Sequence, residues 1–128
     1  MKISAIMRKA IVIDDHIKVR DAAKIMSKKD IGSLIVVKGN SIKGIITERD
    51  IMRNLSKLDL QISKVMTKDV KTIDSEDDVE NASNIMVAEK IKKLPVLGDK
   101  KLVGVITMTD LLAHSSKFSE FQEDFLIN

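Results

Sequence analysis

The chain has no cysteine, tryptophan or tyrosine, one proline and two histidines in 128 residues. Without thiols there is no disulfide framework and no thiolate nucleophile or metal ligand. His16 and His114 are too far apart in the chain to show the ligand spacing of a structural zinc site. No apolar run approaches the roughly 20 residues that a membrane helix needs. The opening residues lack a charged segment followed by a long apolar stretch and a small-residue cleavage site, so the expected location is the cytoplasm. Aromatic side chains are confined to Phe118, Phe121 and Phe125, which leaves little for base stacking and makes nucleic acid an unpromising partner. No nucleophile with a base and an orienting group can be assembled, and the expectation is that the protein is not an enzyme.

What the chain does have is charge of both signs. Its 22 basic and 19 acidic residues are interspersed, the pattern of a solvated mixed surface more than of a steering field. It also has an internal repeat. Ile3-Ser4-Ala5-Ile6-Met7 recurs as Ile62-Ser63-Lys64-Val65-Met66, a shift of 59. After one added residue the shift is 60, and Val19, Ala22, Ile25, Met26, Ile31, Leu34 and Val36 meet Val79, Ala82, Ile85, Met86, Ile91, Leu94 and Val96. A register held over this span decides the architecture before any local reading does. The organisation is a first copy over residues 1–56, a linker over 57–61, a second copy over 62–116 and a tail over 117–128, all in one integrated module.

Periodicity and punctuation order each copy as strand, helix, strand, strand, helix. Ile11-Val12-Ile13 and the stretch from Val70 to Ile73 are the first strands. Val19, Ala22, Ala23 and Met26 fall at helical spacing, as do Val79, Ala82, Ile85 and Met86. Ser75 with Asp78 approximates a capping box for the second of these helices. Two β-rich runs follow, residues 33–37 and 41–47, joined through Lys38-Gly39-Asn40. The second copy repeats them at 94–97 and 101–107 around Gly98-Asp99-Lys100. Short helices from Glu48 to Leu55 and from Met108 to Ser115 close the copies. The fold class is α/β (α+β): a β-α-β-β-α unit made twice, the two packed sheet to sheet with pseudo-two-fold symmetry, because three strands alone cannot bury both faces.

The chemistry falls on Gly44-Ile45-Ile46-Thr47-x-x-Asp50 and Gly104-Val105-Ile106-Thr107-x-x-Asp110. Threonine stands where a strand gives way to a helix, so its hydroxyl can cap free N–H groups or meet an anion there. Aspartate three residues on shares that first turn, and a carboxylate suits the vicinal hydroxyls of a ribose. Capping alone is the competing explanation of each Thr-Asp pair. Recurrence in both copies, directly after a strand, adds weight to a ligand and leaves both explanations open.

With Ser33-Leu34-Ile35-Val36 and Lys93-Leu94-Pro95-Val96 ahead of the two glycines, the doubled pattern resembles a tandem pair of CBS motifs, the cystathionine-β-synthase-type repeat whose pair is called a Bateman module. The resemblance covers roughly residues 1 to 115. It implies a regulatory sensor of adenosine ligands, AMP, ADP, ATP or S-adenosylmethionine, with up to two clefts between the motifs and no obligatory cofactor. It assigns phosphate and ribose to Thr47 and Asp50, and to Thr107 and Asp110. Adenine would pack on Ile6 and Ile11, and on Val65 and Val70. Gly32 and Ser33 in one copy, and Lys92 and Lys93 in the other, would assist phosphates. Arg49 is a further candidate for a charge-assisted phosphate contact, with a solvated surface cation as the alternative. The copies differ: Ile35 stands where the other has Pro95, and Glu48-Arg49 where the other has Met108-Thr109.

The resemblance further implies a homodimer in which a ligand shifts the placement of the two halves and a separate, unidentified effector protein reads the change. A scaffold module that binds no ligand is the alternative, and a nucleic-acid binder, prompted by a pI near 9.1, comes after it. The acidic run Asp74, Glu76, Asp77 and Asp78 reads as helix capping, not as a metal site. Asp14, Asp15 and His16 read as a strand-to-helix turn. The methionines read as core packing, and the Phe118, Phe121, Phe125 stripe needs a covering surface, on this chain or on a second copy.

Overall fold

The computed structural model describes residues 1–114; the phenylalanine stripe lies outside them. Among the described residues two three-stranded sheets and four α-helices make a mixed α+β fold. In the first sheet β1 (Val12–Asp14) pairs parallel with β2 (Ser33–Lys38), which pairs antiparallel with β3 (Ser41–Thr47). Helix α1 (Val19–Lys29) connects β1 to β2, and α2 (Glu48–Met52) follows β3. The second sheet repeats this with β4 (Ile73–Asp74), α3 (Val79–Glu89), β5 (Lys93–Gly98), β6 (Lys101–Thr107) and α4 (Met108–Ala113). Among the described residues no helix is long and apolar enough to cross a membrane.

The compact units of the structure exchange the segments that lead into each copy. Among the described residues one unit is Ala10–Val70, the other Met1–Lys9 together with residues 71–114. Ile62 is fully buried among Val19, Ala22, Leu34, Val36 and Ile46 of the first sheet and helix. Ile3, its repeat partner, is fully buried among Ala82, Met86, Leu94, Val96 and Ile106 of the second. Burying such a side chain is worth roughly 1.5–3 kcal/mol, enough to fix where each lead-in goes. Backbone bonds complete the seating. Ile62 N donates to Ile17 O at 2.8 Å, and Ile3 N donates to Asp77 O at 2.9 Å. Free N–H groups opening α1 are met by the linker, Val19 N on Leu60 O and Arg20 N on Leu58 O, both at 2.9 Å.

Local chemistry explains the boundaries. Asp78, not Ser75, caps α3, its carboxylate accepting from Glu80 N at 2.9 Å. The strand before the helix stops at Asp74, which puts Ser75 inside the connecting turn. Helices α1 and α3 end on the left-handed residues Asp30 and Lys90, and Ile31 and Ile91 return N–H bonds to the carbonyls of Met26 and Met86 at 3.0 Å. The first hairpin takes its positive φ at Gly39 alone, and the second at Asp99 and Lys100 instead of Gly98, the distinction between II′ and I′ turns. Helix α2 ends at Met52, short of Leu55, and α4 runs to Ala113, the expected end at Ser115 lying outside the described residues.

Both hairpins carry a bulge, since Val36 and Val37 pair with Gly44 and Ile42, and Val96 and Leu97 with Gly104 and Leu102. At each bulge a lead-in crosses the glycine. A Cβ on Gly44 would stand 2.7 Å from Thr67 O, and one on Gly104 would stand 2.8 Å from Arg8 O. Gly44→Ala and Gly104→Ala are each expected to destabilise the protein by about 1–3 kcal/mol, read as a lowered urea midpoint. An unchanged midpoint in both would contradict the close crossing.

Candidate functional site

Each Thr-Asp pair sits where a bulged strand ends and a short helix starts, and each forms a complete capping box. Thr47 N donates to Asp50 Oδ2 at 3.0 Å while Asp50 N donates to Thr47 Oγ1 at 3.1 Å. Thr107 and Asp110 repeat this at 3.0 and 3.1 Å. Capping and ligand binding therefore are not exclusive: the box uses one carboxylate oxygen of each aspartate and leaves the other, Oδ1, to face its surroundings.

The residues that lead into and open β2 and β5 come to the same corner. Ser33 is opposite Thr47 in the ladder and Lys93 is opposite Thr107. Glu48 N donates to Gly32 O at 3.0 Å and Met108 N to Lys92 O at 2.9 Å, closing each helix start onto the segment ahead of the strand. Thus Gly32, Ser33, Thr47 and Asp50 are gathered in one unit, and Lys92, Lys93, Thr107 and Asp110 in the other. Arg49 is exposed on the first turn of α2. Lys92 is exposed and Lys93 is half-buried, and burial lowers the Lys93 ammonium below the usual lysine value. The Glu48 carboxylate stands over Gly32, about where a side chain at 32 would touch it, 3.6 Å from that Cβ position.

The apolar candidates divide along the exchanged lead-ins. Ile6 is half-buried against the core around Ile3 and Leu94, in the unit of Asp110, whereas Ile11 is exposed in the unit of Asp50. Val65 is half-buried against the core around Ile62 and Leu34, and Val70 is half-buried in that same unit.

Two residues escaped the sequence reading. In the lead-ins, Arg8 and Thr67 occupy equivalent places at the 59-residue shift. The backbone of Arg8 pairs with Val105 at 2.8 Å in both directions, that of Thr67 with Ile45 at 2.9 Å. From there Arg8 Nε reaches Asp110 Oδ1 at 2.6 Å, and the Thr67 hydroxyl reaches Asp50 Oδ1 at 3.3 Å. The two corners share a backbone and differ in what meets the second carboxylate oxygen. The 59-residue register held the signal, because it aligns Arg8 with Thr67.

The model of the CBS domain family matches residues 3–57 and 62–117. The chain belongs to the CBS domain family. The matched spans begin at the lead-ins, so each CBS motif contributes its first residues to the compact unit of the other. The chain is 34% identical over 125 residues to the uncharacterized 17.7 kDa protein in the bps2 3′ region of Acidianus ambivalens, covering 91% of this chain and 76% of that protein. It is 34% identical over 116 residues to the inosine-5′-monophosphate dehydrogenase of Korarchaeum cryptofilum, but those residues, 88% of this chain, span 24% of the enzyme. Among solved structures it is similar to the CBS domain pair of protein MJ0100, in complex with 5′-methylthioadenosine and S-adenosyl-L-methionine, at 28% identity and a TM-score of 0.81, covering 95% of this chain and 98% of that one.

The two other acidic clusters singled out in the sequence make contacts within the protein. Asp74 accepts from Glu76 N at 2.9 Å and Glu76 pairs with Lys2 at 2.6 Å, so the run before α3 serves turn and cap. Asp14, Asp15 and His16 bring three ligand-type atoms within 4.8 Å of one another. Asp14 there accepts from His16 N at 3.2 Å and pairs with the His16 ring. The His16 N–H, more than the ring beside it, holds the Asp14 carboxyl below its usual value.

Thr107→Val keeps the β-branched shape and removes the cap. It is expected to cost about 0.5–2 kcal/mol, measured by urea denaturation. No loss would mean that the box contributes nothing to holding α4.

Proposed function

We propose that this CBS pair is a regulatory module that binds an adenosine ligand, with the Asp50 corner as the seat of the ribose. The carrying observation is the geometry of that corner: a capping box fixes the Asp50 carboxylate through Oδ2, leaving Oδ1 with a 3.3 Å contact from the Thr67 hydroxyl. A carboxylate held rigidly by backbone and only weakly engaged at its other oxygen is organised to accept from two neighbouring sugar hydroxyls. Thr47, Gly32 and Ser33 stand beside it for the rest of the ligand, with Arg49 on the same helical turn. Ile11, Val65 and Val70 lie in that unit as apolar surface for adenine. In the other unit Thr107, Asp110, Lys92, Lys93 and Ile6 are the equivalent set. The complex of the similar MJ0100 pair with two adenosine compounds supports this ligand class.

The module's role is regulation, not catalysis. A ligand that prefers one arrangement of the module biases it by its differential affinity and no more. A separate effector protein reads that bias, and the module acts as a homodimer in the cytoplasm. Glu48 over Gly32 places a carboxylate near the position assigned to phosphate, which disfavours highly charged nucleotides at this corner. S-adenosylmethionine, AMP, ADP and ATP are thereby separable by titration.

Isothermal calorimetry with each of these compounds tests the reading. Asp50→Ala is expected to weaken the bound compound by roughly 1–3 kcal/mol, the cost of leaving ribose hydroxyls without an acceptor, while circular dichroism retains the native spectrum. Absence of heat and of thermal shift with every compound would make the module a scaffold. Equal affinity in Asp50→Ala would remove Asp50 from the site.

A further inference from the structure

We infer that Arg8 makes the two corners unequal by occupying the Asp110 carboxylate, so that the Asp50 corner takes ligand first and the Asp110 corner opens only when Arg8 lets go. This inference rests on the adenosine-binding reading.

The two corners are one construction with one difference. Both aspartates complete a capping box through Oδ2, and both lead-ins cross the bulge glycine and pair with the residue after it. At the Asp110 corner the residue arriving is Arg8, and its guanidinium Nε meets Oδ1 at 2.6 Å. At the Asp50 corner it is Thr67, a neutral hydroxyl at 3.3 Å. A charge-assisted bond of the first kind is short and strong, and the second is a long neutral-donor contact. The Thr107 hydroxyl tightens the contrast by donating to Asp110 Oδ2 at 2.8 Å.

Burial sharpens the difference. The Asp110 side chain is 3% exposed, so both its oxygens are spent inside the protein, while Asp50 is only half-buried. A ribose can reach Asp110 only by displacing Arg8, and displacement leaves a desolvated carboxylate until the sugar arrives. Arg8 itself is 69% exposed, so its guanidinium has solvent to move into. The departing cation would then stand near Lys92 and Lys93, which are closed onto the same corner through the Met108 and Thr107 pairings. A phosphate-bearing ligand is the kind that compensates such a move, since it meets the cation that it displaces. Arg8 is thus a specificity-determining residue: it withholds the second corner from adenosine compounds that carry no phosphate.

The test is calorimetry of the full chain with S-adenosylmethionine and with AMP as probes, comparing wild type, Arg8→Thr, Thr67→Arg and Asp50→Ala. Wild type is expected to bind one equivalent of S-adenosylmethionine per chain, and Asp50→Ala to lose it. Arg8→Thr should bind two, and Thr67→Arg should weaken the single site at least tenfold. Two equal sites for S-adenosylmethionine in wild type, or one site in Arg8→Thr, would overturn the inference. A second measurement needs no ligand. The Arg8 Nε–H, followed by NMR, should exchange slowly in wild type and quickly in Asp110→Asn, whereas equal exchange in both would overturn the inference. If no variant binds either probe but Asp110→Asn releases the Arg8 Nε–H, the nucleotide reading fails and the Arg8 contact stands.

Discussion

The seating of two isoleucines, Ile3 and Ile62, is the constraint on which the rest of this structure depends. Each has no exposed surface and lies in the core of the sheet and helix formed by the other copy. Once these side chains are buried, the segments behind them have no choice of path. They must cross the bulge at Gly44 or Gly104, close enough that backbone oxygen would touch any Cβ there. The crossing delivers Arg8 and Thr67 to the two aspartates. A packing requirement in the lead-in therefore determines the electrostatics of the corner.

The corner serves stability, and on the function proposed above it serves recognition as well. A Thr-Asp capping box satisfies N–H groups that a short helix would otherwise leave bare, and in doing so it locks the carboxylate in one orientation. Helices of five and six residues, α2 and α4, have little intrinsic stability. A ligand that contacts Asp50 also contacts the residue that starts its helix, which is a direct physical route from occupancy to the conformation of the closing turn.

Much of this was legible in the sequence. Apolar spacing located both long helices, turn residues located both hairpins, and the doubled Thr-x-x-Asp located the corners, because each is a local pattern with a local cause. The exchange of lead-ins was not legible from periodicity, since Ile3 and Ile62 look equally apolar whichever core receives them. The expected strand from Val70 to Ile73 forms only at Ile73 and Asp74, Ser75 lies in the turn that follows, and Asp78 next to the helix takes the cap; Lys100 accepts a left-handed backbone that side-chain preference alone would assign to glycine. Arg8 looked like one more surface cation. Its partner lies about a hundred residues away, and only the backbone pairing with Val105 brings them together.

The central claim is that the Asp50 carboxylate, fixed through Oδ2 and only weakly engaged at Oδ1, holds a sugar. A crystal structure of the protein grown with S-adenosylmethionine addresses it directly. The account requires both ribose hydroxyls within about 3 Å of the Asp50 carboxylate, with the Arg8–Asp110 pair intact. Ribose bound at Asp110 beside an undisturbed Arg8, or a ligand whose sugar faces away from both aspartates, would contradict it.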